Sequence, residues 1–315
     1  MSEVLAVDLG GTKCSAAVVD RNGRIFSRRT VAVDLTSPNA PVLQIIHLAK
    51  QLSAPYPLKR AFRAAGVAVP GLVRRNATVW APNLPGWERM PLASRLKRAL
   101  GIPVVVESDR NAAIVGESWR GAARGKSDAI VFMIGTGIGA GILSGGRVLR
   151  GAHELSGCAG WLTITQAKTA TRRGSGELEW LAAGPAIARA AQERLEAGEE
   201  SSLSLIDCSS ITAHDVAAAA RKADRLAVEV FCRAGTLLGY GIANMVSLLD
   251  PQVIILGGGL ATVSGLYLDS LRTAMLERAQ PLSAPQVKVV VSKLGDKANL
   301  LGCARLAWDH AGKRV

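Results

Sequence analysis

The chain has 315 residues, 49% of them hydrophobic, and a formal net charge of +13 at pH 7. This length and composition argue against a disordered protein and predict one large or two medium globular domains, each with its own hydrophobic core. The five cysteines include no CxxC pair, so the sequence indicates neither a disulfide framework nor a cysteine-based zinc cluster.

The positive charge is concentrated in one part of the chain. Between Lys59 and Lys126, thirteen Lys or Arg residues accompany four acidic residues, which gives a local charge of +9. Such a basic region suits nucleotide phosphates, polyphosphate or nucleic acid, and a solvated arginine-rich surface is the simpler alternative. The pattern of a helix-turn-helix does not precede the first motif, so we predict no DNA-binding domain.

Two uncharged stretches, residues 129–146 and 251–268, are about long enough to cross a bilayer. Both are rich in glycine and alternate strand-like runs with turns, so they predict buried α/β core and no membrane association. The N-terminus has neither the basic region nor the apolar region of a signal peptide, and we therefore expect a cytoplasmic protein.

The first motif is a strand that ends in an acidic residue and a glycine turn. Residues 4–7 form an apolar run typical of a buried strand, and Asp8 ends this run. The turn that follows contains Gly10, Gly11, Thr12 and Lys13. Residues 14–19 predict a second strand, so the glycines lie in a hairpin, which argues against a dinucleotide-binding fingerprint. Such a turn can bind phosphate if a cation such as Mg²⁺ lies between the phosphate and Asp8. An ordinary hairpin turn is the alternative.

The next segments supply candidate groups for a polar ligand. A buried strand over residues 66–69 ends at Pro70 and Gly71, where a backbone can approach a ligand closely. The loop APNLPGW carries Asn83 and Trp87, which suit a sugar because the amide both donates and accepts hydrogen bonds. A rigid surface loop with a buried Trp87 explains the same residues.

A further strand, over residues 103–106, is followed by Glu107, Ser108 and Asp109. Open α/β sheets bind ligands at the carboxyl ends of their strands, so a general base is one interpretation of Asp109. Because a helix is predicted to follow, the other interpretation is a helix N-cap.

Residues 128–146 repeat the design of the first motif, as strand, Gly135-Thr136-Gly137 turn and strand. Two such turns across a cleft would enclose the phosphate chain of a nucleotide. Further along, we predict a helix with Glu179 near its beginning, a long apolar helix over residues 223–249 and a strand over 253–256. The glycines that follow this strand, Gly257, Gly258 and Gly259, would let an adenine or ribose lie against the backbone.

Six motifs in the chain resemble those of the ROK family of sugar kinases, in the family's order. They are DLGGTK at Asp8, VPGLV at Val69, APNLPGW at Ala81, SDRNAA at Ser108, GTGIGAGI at Gly135 and DPQVIILGGG at Asp250. The resemblance covers the whole chain. It implies an α/β protein with the two-lobed actin-like (RNase H-like) ATPase fold, mixed sheets and a central cleft. A small lobe would comprise residues 1–110 with a C-terminal helix at about 299–315, and a large lobe residues 111–298.

The resemblance also implies ATP- and Mg²⁺-dependent phosphorylation of a hexose or N-acetylhexosamine hydroxyl by a homodimer. Asp109 corresponds to the catalytic base, and Asp8 to the residue that positions Mg²⁺. The implied nucleotide-binding residues are Asp8, Gly10, Gly11, Thr12, Lys13, Gly135, Thr136, Gly137, Gly257, Gly258 and Gly259. The implied sugar-binding residues are Pro70, Gly71, Asn83, Ser108, Asp109, Trp161 and Glu179.

The chain departs from the family pattern on the sugar side. Ser108 stands where the family usually has Asn, and the segment Gly157-Cys158-Ala159-Gly160-Trp161 replaces the family's GExGH. Residues 166–177 lack the family's usual zinc cysteines, so we expect no structural zinc. Loss of two hydrogen-bonding groups, at roughly 1.5 to 3 kcal/mol each, would weaken sugar binding by about 10² to 10⁴. Compensation could come from Trp161 as a stacking surface, or from His153 or Glu154.

Two alternatives follow from these departures: the preferred sugar differs from glucose, or the chain is a non-catalytic sugar or nucleotide sensor. The basic region suggests a third, a kinase that uses polyphosphate as its donor. A sensor needs no base, so the presence of Asp109 argues against it. The sequence does not identify the sugar.

Overall fold

The computed structural model describes residues 3–165 and 174–312 of the chain. Their strands are β1 (Glu3–Leu9), β2 (Lys13–Asp20), β3 (Ile25–Ala32), β4 (Ala65–Val69), β5 (Leu72–Val73), β6 (Val79–Trp80), β7 (Val104–Ser108), β8 (Ala129–Ile134), β9 (Ile138–Ser144), β10 (Arg147–Val148), β11 (Val253–Gly257) and β12 (Lys288–Val291). Their α-helices are α1 (Ala40–Ser53), α2 (Leu58–Ala61), α3 (Leu92–Leu100), α4 (Asp109–Arg120), α5 (Glu177–Ala182), α6 (Gly184–Glu196), α7 (Ala213–Ala220), α8 (Arg225–Leu249), α9 (Leu268–Arg278) and α10 (Ala298–Gly312).

The first sheet has the strand order β3-β2-β1-β4-β7. β1, β2 and β3 form an antiparallel meander, whereas β4 and β7 run parallel to β1. Asp8 is paired with Ala68, and Val69 is paired with Ser108. Because the carboxyl ends of parallel strands meet at one edge, Asp8, the turn after β4 and the start of α4 lie at the same edge.

The second sheet repeats this arrangement with the order β10-β9-β8-β11-β12. β8 and β9 form the predicted hairpin, and β11 and β12 run parallel to β8. Met133 is paired with Gly257, so the turn after β8 and the glycines after β11 lie at one edge. The structural repeat predicted from the two strand-turn-strand motifs is confirmed. The glycines lead into a 3₁₀ segment, Gly259–Leu266, before α9 begins.

Two helices, α4 and α10, lie between the sheets. α10 packs on β1 and β4, and α4 packs on β8 and β9. The outer face of the first sheet packs against α1 and α3, and that of the second sheet against α5 to α9. α4 and α10 approach each other so closely that a Cβ on Gly302 would lie 1.8 Å from the carbonyl oxygen of Ala112. The two helices therefore pack in direct backbone contact.

The structure corrects one prediction about a helix start. The N-cap of α4 is Ser108, so the interpretation of Asp109 as N-cap is wrong.

The helix α8 is long and apolar enough to cross a membrane by composition alone. However, 61% of its most apolar stretch is buried inside the protein. α8 is the central helix of the hydrophobic core on the outer face of the second sheet.

Candidate active site

A cleft of about 510 Å³ opens where the carboxyl edges of the two sheets meet. The turn after β1 contributes Gly11 and Thr12, and the turn after β8 contributes residues 135–137. Asp109, at the start of α4, lies in the same cleft. The two glycine turns predicted from the sequence therefore share one cavity with the predicted base.

Most of the predicted site residues line this cleft. Those that line it are Gly11, Thr12, Pro70, Gly71, Asn83, Asp109, Gly135, Thr136, Gly137, Glu179 and Gly258. Those outside its lining are Asp8, Gly10, Lys13, Ser108, Trp161, Gly257 and Gly259. The lining also includes residues that were not predicted: Arg110, Met133, Ile134, Ile138 and Gly139.

The two turns offer backbone N–H groups to an anion. Within residues 3–165 and 174–312, the amides of Gly11, Thr12, Thr136 and Gly137 donate to no protein acceptor. Successive free N–H groups in a turn form an anion-binding concavity. At the third glycine motif, Gly258 has φ +84°, and a Cβ there would lie 2.4 Å from the carbonyl oxygen of Ile134. Only glycine fits this position.

Asp109 is a partly buried carboxylate at the N-terminal end of α4. Its Oδ1 accepts a hydrogen bond of 2.8 Å from the backbone N–H of Arg110. Burial raises the pKa of Asp109 above its ordinary value, and the Arg110 backbone N–H and guanidinium oppose that shift. A carboxylate with a raised pKa binds a proton more readily than an exposed one, which suits a general base.

Asp8 lies behind the first turn. Its Oδ1 accepts a hydrogen bond of 3.1 Å from the side-chain amide of Asn299 in α10, and burial raises its pKa to about 6. The carbonyl oxygen of the same Asn299 amide is buried and has no partner among the described residues. Mg²⁺ prefers oxygen ligands and usually takes one or two carboxylates, with water and phosphate oxygens completing its shell. These residues therefore fit a magnesium ion.

No group of three or more His, Cys, Asp or Glu side chains arranged to hold a metal occurs in the described part of the chain. Eight of the positions from which the zinc cysteines are missing, residues 166–173, lie outside the described residues. The expectation of no structural zinc stays a prediction.

The cleft lining also carries three polar side chains, those of Asn83, Arg110 and Glu179. Oε2 of Glu179 accepts a hydrogen bond of 2.8 Å from the backbone N–H of Ile138, which fixes this carboxylate beside the second glycine turn. Trp161 ends a 3₁₀ turn, Ala159–Trp161, and is 61% exposed, outside the cleft lining. Ser108 is 2% exposed, and its hydroxyl has no partner among the described residues.

Sequence reasoning missed Arg110 and Asn299. Arg110 stands directly after Asp109, and a charged residue within the SDRNAA motif was an available signal. Asn299 is 291 positions from Asp8 and carries no motif in the sequence.

The chain is similar to known proteins along nearly its whole length. The model of the ROK family matches residues 4–310. The chain is 33% identical over 318 residues to the glucokinase of Streptomyces coelicolor, with 98% of each chain covered. It is 26% identical over 309 residues to the xylose repressor of Caldicellulosiruptor bescii, which covers 96% of this chain and 77% of the repressor.

Among solved structures, the ROK family glucokinase from Streptomyces griseus, in complex with glucose and AMPPNP, has the same fold. The two structures superpose with a TM-score of 0.83 at 31% identity, over 98% of this chain and 99% of the glucokinase. The α/β fold with mixed sheets and the family resemblance predicted from the six motifs are both confirmed. The chain belongs to the ROK family.

Proposed function

We propose that this ROK sugar kinase transfers the terminal phosphoryl group of ATP, with Mg²⁺, to a hydroxyl of a hexose or N-acetylhexosamine. The observation that carries this proposal is the shared cleft, in which two glycine turns and Asp109 meet. The relatives named glucokinases, one of them solved with glucose and AMPPNP, support a sugar and a nucleoside triphosphate as ligands.

The phosphate chain of ATP would bind between the two turns. Residues 10–13 would hold it from the first sheet and residues 135–137 from the second, through the free backbone N–H groups and the hydroxyls of Thr12 and Thr136. The glycines at 257–259 would border the adenosine, and of these Gly258 lines the cleft. Phosphoryl transfer depends mainly on such alignment and charge stabilisation.

Asp8, oriented by Asn299, would hold the magnesium ion, which when bound neutralises charge on the phosphates. Asp109 would take the proton of the sugar hydroxyl as that oxygen attacks the phosphoryl group, a role that adds roughly 10² to 10⁴ in rate. Asn83 and Glu179 would orient the sugar.

The lobe division, the oligomer and the location belong to the same proposal. A small lobe of residues 1–110 with the C-terminal helix at about 299–315 would close on a large lobe of residues 111–298. Closure would expel water, which otherwise competes with the sugar as phosphoryl acceptor. We expect a cytoplasmic homodimer.

A non-catalytic sensor is the main rival function. A relative is named a xylose repressor, and the replacement of GExGH by residues that include Cys158 and Trp161 favours a change of role. Asp109, placed in the cleft beside the glycine turns, favours catalysis because a pure binder needs no base. Polyphosphate as donor is a further alternative, and the basic region between Lys59 and Lys126 supports it.

An ADP-release assay tests the function directly. Glucose, mannose, fructose, allose, N-acetylglucosamine and N-acetylmannosamine would each be offered with ATP, and formation of the sugar phosphate would be measured in parallel with polyphosphate as donor. We expect ATP-dependent turnover of at least one sugar. Binding of a sugar without turnover by any donor would favour the sensor, and turnover with polyphosphate alone would favour the third alternative.

The proposed magnesium site has its own test. Asp8→Asn keeps the size of the side chain but removes its charge, so we expect kcat/KM to fall by about 10²-fold or more. The Mg²⁺ concentration for half-maximal activity should rise. Asp34→Asn, the same change at an exposed aspartate, is the matched control and should match the wild type. An unchanged magnesium dependence in Asp8→Asn would contradict the assignment.

A further inference from the structure

Arg110 is a buried cation that forms no ion pair within residues 3–165 and 174–312. The residue is 8% exposed. Its guanidinium donates hydrogen bonds to three backbone carbonyls, those of Ser156 (3.1 Å), Gly71 (3.4 Å) and Glu154 (3.2 Å). Among the described residues, none of its nitrogens lies within 4.0 Å of a carboxylate oxygen. The Asp109 carboxylate interacts with this guanidinium only at longer range, so the hydrogen bonds of Arg110 all go to neutral groups. A buried charge held in this way calls for a functional explanation.

These contacts come from both sides of the cleft. Gly71 follows β4 of the first sheet, whereas Glu154 and Ser156 belong to the loop after β10 of the second sheet. Arg110 thereby fastens this loop, residues 150–157, to the turn after β4. Its side chain also passes Gly139 of β9, whose Cβ position lies 3.7 Å from the Arg110 Cδ.

Two other arginines hold the same loop from outside the cleft. Arg150 pairs with the buried carboxylate of Glu107, at 2.5 Å, and Arg75 pairs with Glu154 at 3.1 Å. Arg75 is 76% exposed, so its pair contributes little. Of the three arginines, Arg110 is the one that lines the cleft.

The chemistry of Arg110 complements that of its neighbours. A guanidinium carries five N–H groups and accepts no hydrogen bond. The three carbonyls use three of them, which leaves two N–H groups without a partner in the described structure. Asp109 and Glu179 are carboxylates, which accept hydrogen bonds from hydroxyl groups. A sugar hydroxyl beside Arg110 would instead accept a hydrogen bond through its oxygen.

We propose that Arg110 binds the acceptor sugar, donating a hydrogen bond to one hydroxyl oxygen while it fixes residues 150–157 at the edge of the cleft. The inference rests on the proposed kinase function. It also accounts for the departure from GExGH, because Trp161 is 61% exposed outside the cleft lining and offers no ring to a sugar bound there.

Two variants test the binding role. Removing a hydrogen bond from a charged donor should lower kcat/KM for the sugar by about 10- to 150-fold. We expect this loss in Arg110→Met, a smaller loss in Arg110→Lys, and a KM for ATP within about twofold of the wild type. Arg75→Met removes a bond to the same loop from outside the cleft and should stay within about twofold for both substrates. Equal losses for sugar and ATP in Arg110→Met would indicate a merely structural role.

Sugar analogues provide a readout that does not require a variant. A fluorine atom accepts a hydrogen bond weakly but donates none, so a fluorodeoxy sugar keeps a bond from Arg110 and loses one to Asp109 or Glu179. With the wild-type protein we expect one ring position at which the fluorodeoxy sugar clearly exceeds the deoxy sugar in kcat/KM. In Arg110→Lys this difference should shrink, and in Arg110→Met it should vanish.

The possible outcomes separate the two proposals. If the wild type phosphorylates a sugar but tolerates deoxy and fluorodeoxy analogues equally at every position, the role of Arg110 is refuted and the kinase function stands. The same pattern in wild type and Arg110→Met would refute it too. Should Arg110→Met fail to fold, the comparison of the wild type with Arg110→Lys still separates Arg110 from Asn83, the other side-chain donor in the cleft lining. A wild type that turns over no sugar contradicts both proposals.

Discussion

Asp109→Asn should abolish sugar phosphorylation, lowering kcat by about 10² to 10⁴ or more, and should leave nucleotide binding nearly unchanged. The amide keeps the shape of the carboxylate and cannot take the proton of the attacking hydroxyl. Steady-state turnover and titration of the protein with a non-hydrolysable ATP analogue measure the two effects separately. Turnover at the wild-type rate would remove Asp109 as the base.

The same substitution should stabilise the fold. Burial raises the pKa of Asp109 in the folded protein, so the folded state binds this proton more tightly than the unfolded chain does. The free energy of unfolding therefore falls as the pH rises from the ordinary pKa of 3.8 through the raised pKa of the folded state. Above both pKa values, the buried charge of Asp109 destabilises the fold in full. At neutral pH, Asp109→Asn should raise Tm, and this gain should disappear in acid.

Asp269→Asn is the matched control for both effects. Asp269 is an exposed aspartate in the first turn of α9, as Asp109 is in the first turn of α4, and it lies outside the cleft lining. We expect wild-type activity and no rise in Tm. A similar rise in Tm in both variants would show that burial in the cleft is not its cause.

Gly302→Ala should destabilise the protein by about 1 to 3 kcal/mol or more. The new Cβ would lie 1.8 Å from the carbonyl oxygen of Ala112 and 2.6 Å from its carbonyl carbon, so α4 and α10 must move apart. Because Asp109 is in α4 and Asn299 in α10, kcat/KM should fall as well. Thermal unfolding and steady-state kinetics measure the two losses.

The control for this substitution lies in the same helix. A Cβ on Gly312 would meet no atom within 4 Å, so Gly312→Ala makes the identical change without a clash. Alanine favours a helix over glycine, and we expect Tm to stay level or rise slightly. A Tm for Gly302→Ala close to that of the wild type would show that the contact between α4 and α10 adapts without cost.

Local pattern alone predicted most of the elements that carry the site. The hairpins β1–β2 and β8–β9 follow from apolar runs on either side of glycine turns, and Asp109 follows directly after a buried strand. These features depend on neighbours in the chain. Their common edge could also be expected, because parallel strands place their carboxyl ends together.

Other parts of the site depend on packing between distant segments. Asn299 reaches Asp8 only because α10 lies between the sheets, and nothing near residue 299 in the sequence signals it. The position of Trp161 outside the cleft results from the turn that ends there, which apolar periodicity cannot reveal.

The amino-acid sequence by itself determined the strand-turn-strand repeat, the glycine turns and the position of Asp109 at a strand end, since steric and hydrophobic preferences act between near neighbours. Only the tertiary structure decided which side chains enter the cleft and which neighbours shift their pKa. Arg110 illustrates the difference, because its three carbonyl partners lie 39 to 46 positions away, on both sides of the cleft. Burial and contacts of this kind arise when the sheets pack around α4 and α10, and no local pattern encodes them.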